Sequence, residues 1–94
     1  MGEEHLRDAV EKLHATFERT DLDVEGKKIR HKLEEARYNP GDVKPFADCI
    51  ISILLAARSS GFNVEAVLAE ANRVAADILG KRWKKMADGT YQSV

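Results

Sequence analysis

Leu6, Val10, Leu13 and Phe17 recur at steps of three and four. That spacing gathers apolar side chains on one face of a helix and predicts an amphipathic helix over roughly residues 3–19, within an opening segment 1–22. Thr20-Asp21-Leu22-Asp23 interrupts the pattern. Asp23 is then the expected N-cap of a second helix, 23–38, whose apolar face is Ile29, Leu33 and Ala36. Asn39-Pro40-Gly41 closes it, because a proline pushes the residue before it out of helical geometry and glycine suits a turn. Asp42 is the expected cap of a third helix, 42–60, with Pro45 tolerated in its first turn. From Phe46 to Leu55 apolar residues fall on nearly every side, which predicts the central and most buried helix.

Ser59-Ser60-Gly61 ends that helix, with Gly61 suited to a left-handed C′ position. Asn63 is the expected cap of a fourth helix, 63–80, and Phe62 before it suits a staple onto Val67. Val64, Val67, Leu68, Ala71, Val74, Ala75 and Ile78 form its stripe, and Gly80 loosens its end. A basic tail, 81–94, opens with Lys81-Arg82-Trp83-Lys84-Lys85 and contains an Asp88-Gly89 turn signal. No strand pair, internal repeat or low-complexity segment stands out. The reading is an all-α four-helix bundle.

At 94 residues one domain spanning 1–94 is expected. Three other helices of this length give limited cover to a third helix that is apolar all round, so a homodimer or homotetramer is expected. Charged residues are 33% of the chain and aromatics 6%, which suits a folded helical protein and not a disordered tail. A net charge of -1 supplies no overall attraction to long nucleic acid or acidic membranes. The single Cys49 cannot form an intrachain disulfide, reads as a small buried hydrophobe and fits a reducing compartment. The apolar run Cys49–Ala57 is too short to cross a bilayer, and the charged start MGEEHLRD does not read as a secretory signal. A cytoplasmic protein is expected.

Asp48 carries the first chemical interest, being the only acid in FADCIISILLAA. An ionised carboxylate among apolar residues is expensive unless something pairs with it. One reading makes it an acid stabilised by the helix N-terminus; the other makes it part of a ligand site. Glu34 and Glu35 lie on the preceding helix, and one of the two is expected to be solvated. The basic run Lys27, Lys28, Arg30, His31, Lys32 is either a solvated face or a receptacle for phosphates. The Lys81–Lys85 cluster either clasps phosphates while Trp83 stacks on a base, or complements a helix dipole with Trp83 packed on the bundle. Tyr38 and Tyr91 are weaker stacking candidates. His5, His14, His31 and Cys49 lack zinc-ligand spacing, and Ser52 has no His–acid partner to activate it.

From about Lys28 onward the chain resembles the MazG-like all-α nucleotide pyrophosphohydrolases. The segments that carry the likeness are KIRHKLEEARYNPGDVKPFADCIISILLAARSSG, the amphipathic fourth helix, and KRWKKMADGTYQSV, together roughly two-thirds of the chain. The first 25 residues carry no family signal. The resemblance implies a helical module in which Glu-x-x-Glu and Glu-x-x-Asp pairs hold magnesium, which bridges a triphosphate and activates water. Aligned without gaps, those positions are Lys32 and Glu35, then Pro45 and Asp48. Half of the carboxylates are therefore missing.

The expectation is a catalytically degenerate module in which the Lys32 ammonium replaces the metal's charge. It would bind a nucleotide or cyclic nucleotide through Lys28, His31, Lys32, Glu35, Asp48, Lys81 and Trp83, need no cofactor, and suit sequestration of a nucleotide signal, as in a viral anti-defence sponge. The first alternative is a magnesium-dependent nucleoside triphosphate pyrophosphohydrolase that uses Glu35 and Asp48 as weak metal ligands. The second is a non-catalytic helical interaction protein.

Overall fold

The computed structural model describes residues 3–18 and 20–94. Four helices follow one another: α1 (Glu3–Thr16), α2 (Leu22–Tyr38), α3 (Lys44–Ser59) and α4 (Val64–Leu79). α1, α3 and α4 fall within the segments read from the sequence, and α2 begins one residue before its expected start at 23. The caps show why they begin where they do. Asp21, not Asp23, caps α2, its Oδ1 accepting from the Val24 N–H at 2.9 Å. A cap must stand just outside the helix to reach its second or third N–H. Asp23 lies inside the first turn, where the helix dipole still favours its charge.

Asp42 does not cap α3 either. Val43 holds that position without a side-chain bond, and Asp42 instead accepts from the Lys44 N–H at 3.0 Å. Standing one residue further out, it reaches only the start of the helix, and Pro45 in the first turn removes one N–H that would otherwise need a partner. Asn63 does cap α4, accepting from the Ala66 N–H at 2.8 Å. Gly41 and Gly61 take φ of 98° and 97°, a left-handed backbone that glycine adopts without a Cβ penalty. Gly61 is the C′ residue of α3.

α3 touches each of the other three helices, packing most extensively against α2, while α1 lies across α3 and α4. Its centrality agrees with its sequence, but its burial is one-sided. Pro45, Cys49, Ser52, Leu54 and Leu55 are buried, whereas Phe46, Ile50 and Ile53 are exposed along the opposite face. The core consists of Val10, Leu54, Leu55 and Val64, with Leu6, Leu13, Ile51, Val67 and Leu68 packed around it. Buried Cys49 joins α3 to α2, its thiol donating to the Ile29 carbonyl at 3.7 Å.

The tail holds a strand pair that the sequence reading did not find. β1 (Trp83–Lys85) and β2 (Tyr91–Ser93) pair antiparallel, with Trp83 opposite Ser93 and Lys85 opposite Tyr91. The Asp88-Gly89 signal is its turn: Asp88 Oδ1 accepts from the Thr90 N–H at 3.0 Å and the Thr90 hydroxyl at 2.6 Å, and Gly89 has φ 89°. Three-residue strands exposed on both faces leave no alternation to read.

The fold is also open. Its surface is 7424 Å², against about 5,400 Å² for a compact monomer of this mass. Its radius of gyration is 15.7 Å, against about 12 Å expected for this length. No single described helix is long and apolar enough to cross a membrane, and α3 and α4 meet at 112°.

Candidate functional site

α2 and α3 run against each other with the end of α1 beside them, leaving a cleft of about 310 Å³. Leu13, Phe17 and Ile51 give it an apolar side, and Glu25, Lys28, Lys32, Lys44 and Asp48 supply its charges. His31 and Ser52 also line it.

Residues three or four apart on α2 share a face, and the α2–α3 packing turns that face toward Asp48. Lys32 Nζ lies 3.4 Å from Glu35 Oε2 and 3.4 Å from Asp48 Oδ2, so one ammonium links the two carboxylates across the helix pair. Lys44 Nζ approaches the same Asp48 oxygen at 2.9 Å, one helical turn away. His31 Nε2 sits 3.3 Å from Glu35 Oε1. Glu34 instead pairs loosely with exposed Arg37 at 3.9 Å, so Glu35 is the inward member of the two. The Lys44 bond, with Lys32 behind it, holds the Asp48 carboxyl below its ordinary range against the opposing effect of burial. Glu35, seconded by Asp48, raises the Lys32 ammonium above its usual value. Both groups are therefore charged at neutral pH.

Magnesium does not fit here. A hard dication needs free oxygens, and the two available carboxylates already face ammonium groups. One turn before Asp48 on the same face of α3 stands the buried Pro45, which has no side-chain oxygen to offer. Among the described residues no three His, Cys, Asp or Glu side chains gather closely enough to hold a metal ion.

Glu25 was not anticipated. It is 0% exposed, the most deeply buried charged residue described. Its Oε2 accepts from the Thr20 hydroxyl and from Lys28 Nζ at 3.2 Å, while Oε1 is buried without a partner. Lys28 also lies over the Phe17 ring, 5.1 Å from its centre, a cation–π arrangement. The signal was present: the Ile29–Ala36 face, carried back one turn, lands on Glu25.

Lys28, His31, Lys32, Glu35 and Asp48 are thus brought together. Lys81 and Trp83 are not. Lys81 pairs with Asp77 at 3.2 Å, and the Trp83 indole N–H donates to the Ile78 carbonyl at 2.9 Å, satisfying an end carbonyl of α4. Within one chain neither lines the cleft. A larger cavity of about 690 Å³ runs along α4, but its walls are apolar apart from Glu70, which is paired with Arg73. It offers no converging polar groups and is not the candidate site. Comparisons of the chain with known protein families, curated proteins and solved structures found no match.

Proposed function

We propose that the α2–α3 cleft binds a nucleotide or nucleotide-derived anion without hydrolysing it, in a MazG-like module whose metal charge has been replaced by Lys32. The carrying observation is the position of Lys32 Nζ, 3.4 Å from both Glu35 and Asp48. A fixed ammonium there supplies charge compensation without a metal ion and occupies the carboxylate oxygens that would hold a metal for activating water.

Lys28, Lys32 and Lys44 line the cleft against two carboxylates, Glu25 and Asp48. An incoming phosphate competes with Asp48 and Glu35 for ammonium groups that have lost part of their hydration already. Phe17, Leu13 and Ile51 offer an apolar bed for a base. The volume, about 310 Å³, sits at the small end of ligand pockets, suiting a mononucleotide or one half of a cyclic dinucleotide. Binding without turnover in the cytoplasm suits sequestration of a nucleotide signal, as a viral anti-defence sponge would do.

A thermal-shift screen with linear and cyclic nucleotides, with and without magnesium, tests this reading. Stabilisation independent of metal is expected, because only the folded state recognises the ligand. Magnesium-dependent stabilisation with release of pyrophosphate would establish the pyrophosphohydrolase alternative. The absence of any shift would leave a helical interaction protein.

A further inference from the structure

The α2–α3 cleft has two ends of different chemistry. The Ser59 hydroxyl at the end of α3 donates to the Thr20 carbonyl just before α2, at 3.1 Å, so the two helices run antiparallel. Lys32 and Lys44 meet Asp48 at one end of the cleft. Glu25 stands two turns before Lys32 on α2, about 10 Å along the axis at 1.5 Å per residue. Besides Lys28, that other end is lined by Leu13, Phe17, Ser52 and Leu55, which carry no charge.

Charge compensation around Asp48 makes no use of Glu25. The carboxylate is fully buried, and its Oε2 accepts from the Thr20 hydroxyl and from Lys28 Nζ at 3.2 Å. Oε1 has no hydrogen-bond partner among the described residues. A buried acceptor without a donor raises the energy of the empty fold, and a ligand that supplies the donor removes that cost.

We propose that Glu25 reads the base of the bound nucleotide, its free oxygen accepting from an exocyclic amino group. The cleft then selects adenine, guanine or cytosine over hypoxanthine and uracil. This assignment takes the cleft to be a nucleotide site and rests on that reading. An exocyclic amine stands clear of the ring, whereas the ring N–H of uracil or hypoxanthine sits beside a carbonyl that a carboxylate repels. A flat group with apolar faces and a polar edge also matches an apolar wall that holds an acceptor, which is how extruded bases are read in enzyme pockets. A ribose would bury several hydroxyls against a wall that is mostly apolar. The flexible cover over the carboxylate is Lys28, 46% exposed, whose ammonium reaches from Oε2 toward the Phe17 ring. Turned outward, it opens Glu25 to the base and is free to pair with a phosphate.

Isothermal titration calorimetry on the full chain tests the assignment. AMP, GMP and CMP are compared with IMP and UMP, each also as its cyclic dinucleotide. The wild type is expected to bind at least one amino-bearing ligand about tenfold or more tighter than its deaminated counterpart, the order of one hydrogen bond to a charged acceptor. Glu25→Met is expected to bind the two alike, with affinity for the deaminated ligand retained. Glu25→Gln keeps the shape, but Thr20 and Lys28 hold its amide oxygen, so an N–H faces the ligand and the preference should vanish there too. A purely structural role would let this close mimic behave as wild type. Circular dichroism checks that both variants are folded. Equal binding of every such pair by the wild type overturns the assignment and leaves the nucleotide reading standing. So does a base preference that survives in Glu25→Met, or a preference for ribose over 2′-deoxyribose that disappears there, which would give the carboxylate to the sugar. Failure of every nucleotide to bind removes the nucleotide reading and this assignment with it.

Discussion

Replacing Glu25 with methionine should make this protein more stable, although it removes a side chain with two hydrogen bonds. The buried carboxylate has one oxygen engaged by Thr20 and Lys28 and one oxygen engaged by nothing. An unpartnered buried acceptor costs about 1–3 kcal/mol, and exchanging a buried ion pair for apolar side chains of similar volume is neutral or stabilising by about 1–4 kcal/mol. Lys28 is 46% exposed, so losing its partner returns it to water and strands no charge in the interior. Against the gain stands a negative charge lost from the first turn of α2, a position worth about 0.3–1 kcal/mol. The Thr20 hydroxyl also loses an acceptor, at about 0.5–1.5 kcal/mol.

The net expectation for Glu25→Met is a gain near 1 kcal/mol, read as a melting point about 4–8 °C higher for a domain of this size. Glu25→Ala, which leaves a cavity, should fall below Glu25→Met. Urea unfolding followed by circular dichroism measures both. A Glu25→Met protein less stable than wild type by more than about 1 kcal/mol would refute the reasoning. The carboxylate would then be a net contributor to the fold.

Lys32→Glu should create a response to magnesium that the wild type lacks, because it exchanges the bridging ammonium for a third carboxylate beside Glu35 and Asp48. A magnesium titration followed by melting point reads it, and equal responses of the two proteins would argue against charge replacement by Lys32. The Asp48 carboxyl should titrate below ordinary aspartates, and Lys44→Gln should move its midpoint upward, as carbon-detected NMR would show. Since folding depresses this pKa, the stability that it contributes is present above the ordinary aspartate range, near pH 4, and is lost as pH falls through the depressed value. Glu11, held low by Arg58, and Glu70, held low by Arg73, act in the same direction, so unfolding should be promoted by acid. Asn63→Ala should lower stability by about 1 kcal/mol by removing the cap of α4, measurable in the same urea titration.

The sequence announced the helices because each carries a stripe or a strong stop, and the three positive-φ glycines fall at its punctuation. Its cap choices divided on a single residue of offset. Asn63 has no competitor beside it, whereas Asp21 and Asp23 differ only by which stands outside the first turn. The approach of Lys32 to Asp48 follows from helical spacing once α2 and α3 are antiparallel neighbours. The same spacing places Glu25 on the inward face, but an acid in an acid-rich first turn reads as solvated until packing covers it. The hairpin escaped because its strands bury nothing. The half-exposed face of α3 escaped for a related reason: composition shows that a helix is apolar all round, not how many of its sides the same chain can cover.

Cys49 gives the α2–α3 seam a reporter of its own. Its sulfur is the only thiol in the chain, lies 7% exposed and is bonded to the Ile29 carbonyl on the opposing helix. A thiol reagent can reach it only when those two helices part. The rate of its modification therefore times the breathing of the wall that carries Lys32 and Asp48, and anything that clamps the two helices together slows that chemistry without touching the sulfur.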